Sequence, residues 1–186
     1  MPKATTKSRA IAPRKKTGSK AASALRIAPC LWFDHQAEEA ARFYTGIFKN
    51  ARITAISRYG EAGYEIHHRP AGSVMTVAFE LDGQAFTALN GGPLFKFTEA
   101  ISLQVYCKDQ PEIDYYWEHL SAGGDPKSQQ CGWLKDKFGL SWQVVPRGME
   151  EMLKNEKSPG AKLAMDAFLK MKKIDIAALE RAARGA

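Results

Sequence analysis

Residues 27–33 read IAPCLWF and residues 101–107 read ISLQVYC, and the pairing of these two short apolar runs decides the fold. Each has the length of a strand and is followed at once by helical spacing. After the first run, Ala37, Ala40, Ala41, Tyr44, Ile47 and Phe48 mark one face of a helix over 36–48, with Asp34 placed to cap it. After the second, Ile113, Tyr116, Trp117 and Leu120 do the same over 110–120, and Gly123-Gly124 supplies the left-handed stop. At an offset of 74 residues, Ile27 meets Ile101, Leu31 meets Val105, Trp32 meets Tyr106 and Gln36 meets Gln110.

The rest of each half follows the same order. Residues 52–58 read as a strand and 59–72 as a loop. Two further strands, 73–81 and 84–89, flank the hairpin dipeptide Asp82-Gly83. In the second half, short strands are expected at 129–132, 133–136 and 140–145, with the offset falling to 56 so that Gly83 meets Gly139 and Phe86 meets Trp142. The chain is therefore expected to be α+β, built from two βαβββ modules, a duplicated unit rather than a solenoid. Module one spans 26–98 and module two 99–147. Residues 148–186 carry C-terminal helices near 149–155, 159–171 and 175–184, with Pro159 in a first turn and Asp175 as an N-cap.

Composition sets the outer limits. Of 186 residues, 45% are hydrophobic and 25% charged, as in a soluble globular protein. No apolar run approaches the roughly 20 residues that span a bilayer, so no membrane segment is expected. Residues 1–26 hold eight cations and no Asp or Glu. Taking those eight from the 27 basic residues leaves 19 against 20 acidic ones. The net charge of +7 thus belongs to the first 25 residues, expected to be a disordered basic tail, and not to the surface of the domain. Such a tail offers weak, salt-sensitive contact with nucleic acid; a solubilising extension and an organelle transit peptide fit the same composition. Cys30, Cys107 and Cys131 follow no CxxC pattern and read as reduced thiols of a cytoplasmic protein, Cys30 being a small core residue.

Three stretches carry a family likeness: LWFDHQAEEAARFYTGIF at 31–48, GSVMTVAFELDGQAFTALNGGP at 72–93 and CGWLKDKFGLSWQVVP at 131–146. They resemble the PhnB-like branch of the vicinal-oxygen-chelate superfamily, which has the glyoxalase/bleomycin-resistance/extradiol-dioxygenase fold. That branch often carries a demethylubiquinone methyltransferase label. The resemblance implies a homodimer in which modules pair across subunits around a small-molecule pocket. Methyl transfer is not expected, because Gly91-Gly92 precedes Pro93 and Phe95 rather than the opening of a helix.

In the metal-dependent members of the superfamily, ligands stand on the first and fourth strands of each module. The matching positions here are Ala28, Thr87, Ser102 and Gln143, the last where D-x-x-G-x-x-x-E has its carboxylate. An alanine, two hydroxyls and an amide are poor donors for zinc, nickel or iron, so neither metal nor cofactor is expected. Alternation in 102–107 sends Leu103, Val105 and Cys107 toward the helix and leaves Ser102, Gln104 and Tyr106 on the cavity side, with Trp32 beside them by the repeat. The expected ligand-binding residues are Trp32, Asn90, Gln104, Tyr106 and Gln143, around an aromatic or amphipathic metabolite. A metal-dependent lyase or dioxygenase, and a nucleic-acid-associated protein working through its tail, remain the alternatives. Whether a reaction is catalysed is not decided by the sequence.

Overall fold

The computed structural model describes residues 26–153 and 158–185. The basic tail and its contact with nucleic acid fall on residues 1–25, outside the described residues. The first module consists of β1 (Cys30–Phe33), α1 (Ala37–Ile47), β2 (Ala51–Arg58), the one-turn α2 (Tyr64–His67), β3 (Val74–Leu81) and β4 (Gln84–Asn90). Its sheet runs β1-β4-β3-β2, with β1 parallel to β4 and the other pairs antiparallel. Asp82 and Gly83 both take positive φ, 47° and 85°, the backbone that a two-residue hairpin needs to match strand twist.

The second module has β5 (Ser102–Cys107), α3 (Gln110–Ser121), a single 3₁₀ turn at Pro126–Ser128, β6 (Trp133–Lys135) and β7 (Ser141–Pro146). Its sheet runs β5-β7-β6, with β5 parallel to β7. The repeat is visible in the registers: Cys30 lies opposite Thr87 and Gln104 opposite Gln143, the two pairs that offsets of 74 and 56 relate. The strand expected at 129–132 does not form. Only a bridge between Gln130 and Trp133 remains, because the N–H groups of Cys131 and Gly132 donate instead to the carbonyls of Met171 and Lys172, at 2.8 and 2.7 Å.

Helices α1 and α3 cover one face of their respective sheets, and the apolar side chains between form one continuous core. The strand alternation is clean: Val105 and Cys107 are buried while Gln104 and Tyr106 are exposed. Burial raises the Cys107 thiol to about 12, so it stays protonated and packs as a small apolar group. Asp136 joins the modules. Its Oδ2 accepts from the Tyr44 hydroxyl of α1 and the Trp142 indole of β7, both at 2.8 Å, and its Oδ1 from the backbone N–H of Phe138 and Leu140. Burial pushes this carboxyl above its ordinary range against the pull of those four donors.

After β7 come α4 (Met149–Leu153), α5 (Pro159–Phe168) and α6 (Ile176–Arg184). Ser158 caps α5 by accepting from the Ala161 N–H, with Pro159 in the first turn, and Asp175 caps α6 by accepting from that of Ala178. Ile174 and Leu179 are fully buried in the same core as the two modules. Among the described residues no helix is long and apolar enough to cross a membrane.

Candidate functional site

The faces of the two sheets turned away from α1 and α3 carry the polar residues of the alternation. On β5 and β7 these residues form a hydrogen-bonded row. The Tyr106 hydroxyl donates to Gln104 Oε1 at 2.7 Å, Gln104 Nε2 donates to Gln143 Oε1 at 3.3 Å, and Gln143 Nε2 donates to Ser102 Oγ at 2.7 Å. The parallel register that sets Gln104 beside Gln143 makes the row possible. Each amide nitrogen has two hydrogens and uses one, so both glutamines keep an N–H, and Ser102 its O–H, without a partner among the described residues.

Gln104, Tyr106 and Gln143 line one side of a groove of about 720 Å³, within the range of small-molecule sites. Trp133, Val145 and Pro146 continue that side, and Met149 and Phe168 stand on the other. Gln104 and Tyr106 also border a second groove of about 980 Å³ between the modules, whose lining includes Lys49, Asp82, Glu112 and Arg147. The first has the more apolar lining, although Arg147, Glu150 and Glu151 also border it, and it joins that apolar surface to a few convergent donors that can fix orientation.

The other two expected residues stand apart. Trp32 donates its indole N–H to the Gly92 carbonyl at 2.8 Å and packs edge-on against Phe95, in a separate groove of about 450 Å³ that Lys135 and Phe138 of the second module also line. Asn90 is buried, and its bonds hold the fold. Oδ1 accepts from the Ala37 N–H at 2.8 Å, capping α1, and Nδ2 donates to the Val74 carbonyl at 3.0 Å. Asp34, expected to cap that helix, is bound by Arg69 instead, whose hydrogen bond holds its carboxyl below the usual range. Cys30, expected in the core, is exposed, because it sits on the uncovered face of an edge strand. Met149 and Phe168 were not anticipated at the site. Nothing in their local spacing marks them, and only the chain's return after β7 brings them there.

The metal positions of the superfamily do not fit a transition metal in this chain. Ala28 has no donor atom, Thr87 and Ser102 offer neutral hydroxyls, and the Gln143 amide is already bonded to Ser102 and Gln104. Among the described residues no three His, Cys, Asp or Glu side chains gather where an ion could sit. Nor does Gly91-Gly92 open a helix: Gly91 N–H donates to the Phe33 carbonyl, and the next helix is α3.

Two modules in sequence order, each a sheet with a parallel first and last strand and a helix on one face, give the α+β architecture expected of the repeat. The sequence pattern of the family described as 3-demethylubiquinone-9 3-methyltransferase matches residues 25–145, and the chain belongs to that family, the PhnB family. A PhnB protein from Bacillus cereus is 37% identical, with a TM-score of 0.55, and the alignment covers 65% of this chain and 98% of that one. Protein PA1353 from Pseudomonas aeruginosa shares the fold at 20% identity and a TM-score of 0.51, over 66% of this chain and 97% of that one. No curated protein matches the chain.

Proposed function

We propose that the protein binds a small aromatic or amphipathic metabolite on the β5–β7 face, without metal and without transferring a methyl group. The observation that supports this is the row Tyr106–Gln104–Gln143–Ser102, which turns unpaired amide N–H groups toward a groove with apolar walls. Such donors suit a ligand carbonyl, phenol or ether oxygen, while Val145, Trp133 and Phe168 supply contact for a ring. The site forms part of a homodimer, in which Trp32 comes to the ligand from a second copy of the chain. Asn90 belongs to the fold rather than to the ligand. A cytoplasmic location is part of this reading, supported by three cysteines that form no disulfide with one another.

The test uses 2-naphthol, a two-ring phenol, followed by its fluorescence as protein is added. Wild-type protein is expected to bind it, and Gln104→Ala and Gln143→Ala are each expected to weaken binding about five- to tenfold, the loss of one hydrogen bond. Equal binding by all three proteins, or none by the wild type, refutes the reading.

A further inference from the structure

The family match ends at residue 145, and the alignment to the Bacillus cereus protein leaves about a third of this chain uncovered while spanning nearly all of that one. Helices α4, α5 and α6 therefore lie beyond the part of the chain that the family defines. Yet one wall of the groove described above is made by them: Met149 and its neighbours Gly148 and Glu150 from the start of α4, and Phe168 from the last turn of α5. Resting on the binding site proposed above, we infer that this C-terminal segment sets its specificity, with Met149 and Phe168 as the residues that select a flat ligand of two fused rings over a single ring.

The stretch after α5, residues 169–176, is tied to the second module. Cys131 and Gly132 donate their N–H groups to Met171 and Lys172 in the position where module one has a strand pairing, and Gln130 Nε2 donates to the Leu169 carbonyl at 2.6 Å. Gln110, at the start of α3, donates to the Ile174 carbonyl and accepts from the Ile176 N–H, at 3.0 and 2.9 Å. Lys173 pairs with Asp114 at 2.6 Å. Gly132, at φ 81°, admits Ile174 so closely that an added Cβ would stand 2.9 Å from its Cδ1. These ties, all in the eight residues that follow Phe168, fix where α5 ends and so where Phe168 stands, and a side chain held in place discriminates by size.

The chemistry of the two walls differs accordingly. The sheet side offers, beside Trp133 and Val145, the amide donors of Gln104 and Gln143, which any phenol or carbonyl compound satisfies whatever its ring count. The helical side offers, beside Glu150 and Glu151, a thioether and a phenyl ring, which reward additional apolar area: Met149 adapts its shape, and Phe168 presents a rigid surface. A second fused ring adds contact there, while phenol, anchored at the amides, leaves that wall untouched.

The experiment measures 2-naphthol and phenol binding to the full chain by competition, in wild type, Met149→Ala, Phe168→Leu and Gln104→Ala. Phe168→Leu keeps most of the buried volume, and circular dichroism with thermal melting confirms that each variant is folded. The inference expects the ratio of 2-naphthol to phenol affinity to fall at least about fivefold in Met149→Ala and in Phe168→Leu, as for other apolar-pocket discriminations. Gln104→Ala should weaken both ligands and leave the ratio unchanged. An unchanged ratio in Met149→Ala and Phe168→Leu, with Gln104→Ala still weakening both ligands, overturns the specificity role while the amide row stands. Gln104→Ala binding both ligands as the wild type does overturns the site itself.

Discussion

Replacing Asp136 by asparagine tests the joint between the modules. All four acceptor directions of the carboxylate are used, two on each oxygen. Asparagine has one carbonyl oxygen. If that oxygen keeps the Phe138 and Leu140 N–H groups, the new amide faces the Tyr44 hydroxyl, which can rotate and accept, and the Trp142 indole, which only donates. Trp142 is 2% exposed, so its N–H loses its partner with no water to replace it, at a cost of about 1–3 kcal/mol. Removing a buried charge offsets a small part of this. The expected loss is about 2 kcal/mol, or about 4–8 °C in Tm for a domain of this size. Guanidinium unfolding of both proteins across pH provides the assay. Burial raises the folded-state pKa of Asp136 above its ordinary value of 3.8, so the folded state holds the proton more tightly. Its contribution is fully present below 3.8 and is lost as pH rises through the raised value. The lead of wild type over Asp136→Asn is therefore largest in acid and narrows upward across that window; all other groups cancel in the comparison. A variant within 0.5 kcal/mol of wild type (roughly the scatter of surface substitutions), or a lead that widens as pH rises there, refutes the reasoning.

Other outcomes follow from single features. Ser141 Oγ is buried with no hydrogen-bond partner among the described residues, so Ser141→Ala is expected to raise stability, by up to about 1 kcal/mol in denaturant melts. Exposed Cys30 should react quickly with a thiol reagent in the native protein at pH 8, while Cys107, raised to about 12 by burial, reacts only after unfolding; mass spectrometry of the labelled peptides reads the order. Light scattering after gel filtration should give about 41 kDa, twice the 20.6 kDa of one chain, for the proposed homodimer; a mass of one chain contradicts it.

The parts of the fold set by local chemistry were legible in the sequence. The period of two in 102–107 placed Gln104 and Tyr106 opposite Val105 and Cys107, and the structure has them so. Asp82-Gly83, Pro159 and Asp175 each name a backbone geometry, and each stands where its chemistry requires. What was not legible depends on distant partners. The amide of Asn90 caps a helix 53 residues earlier in the chain, a bond that no local pattern signals. The strand expected at 129–132 gave way to bonds with Met171 and Lys172. In DKFGLSWQ the last position drew attention as a possible metal ligand, while the joint proved to be Asp136, the first. The wall made by Met149 and Phe168 depends on where α5 returns, which no periodicity encodes.

The central claim is that the β5–β7 face is a ligand site, and a crystal structure of the protein with 2-naphthol tests it most directly. The account predicts the naphthol oxygen within hydrogen-bonding distance, about 3.2 Å or less, of Gln104 or Gln143 Nε2, with its rings between Val145 and Phe168. Naphthol bound away from both Gln104 and Gln143, or a β5–β7 face packed shut with both amides bonded only to protein, contradicts it.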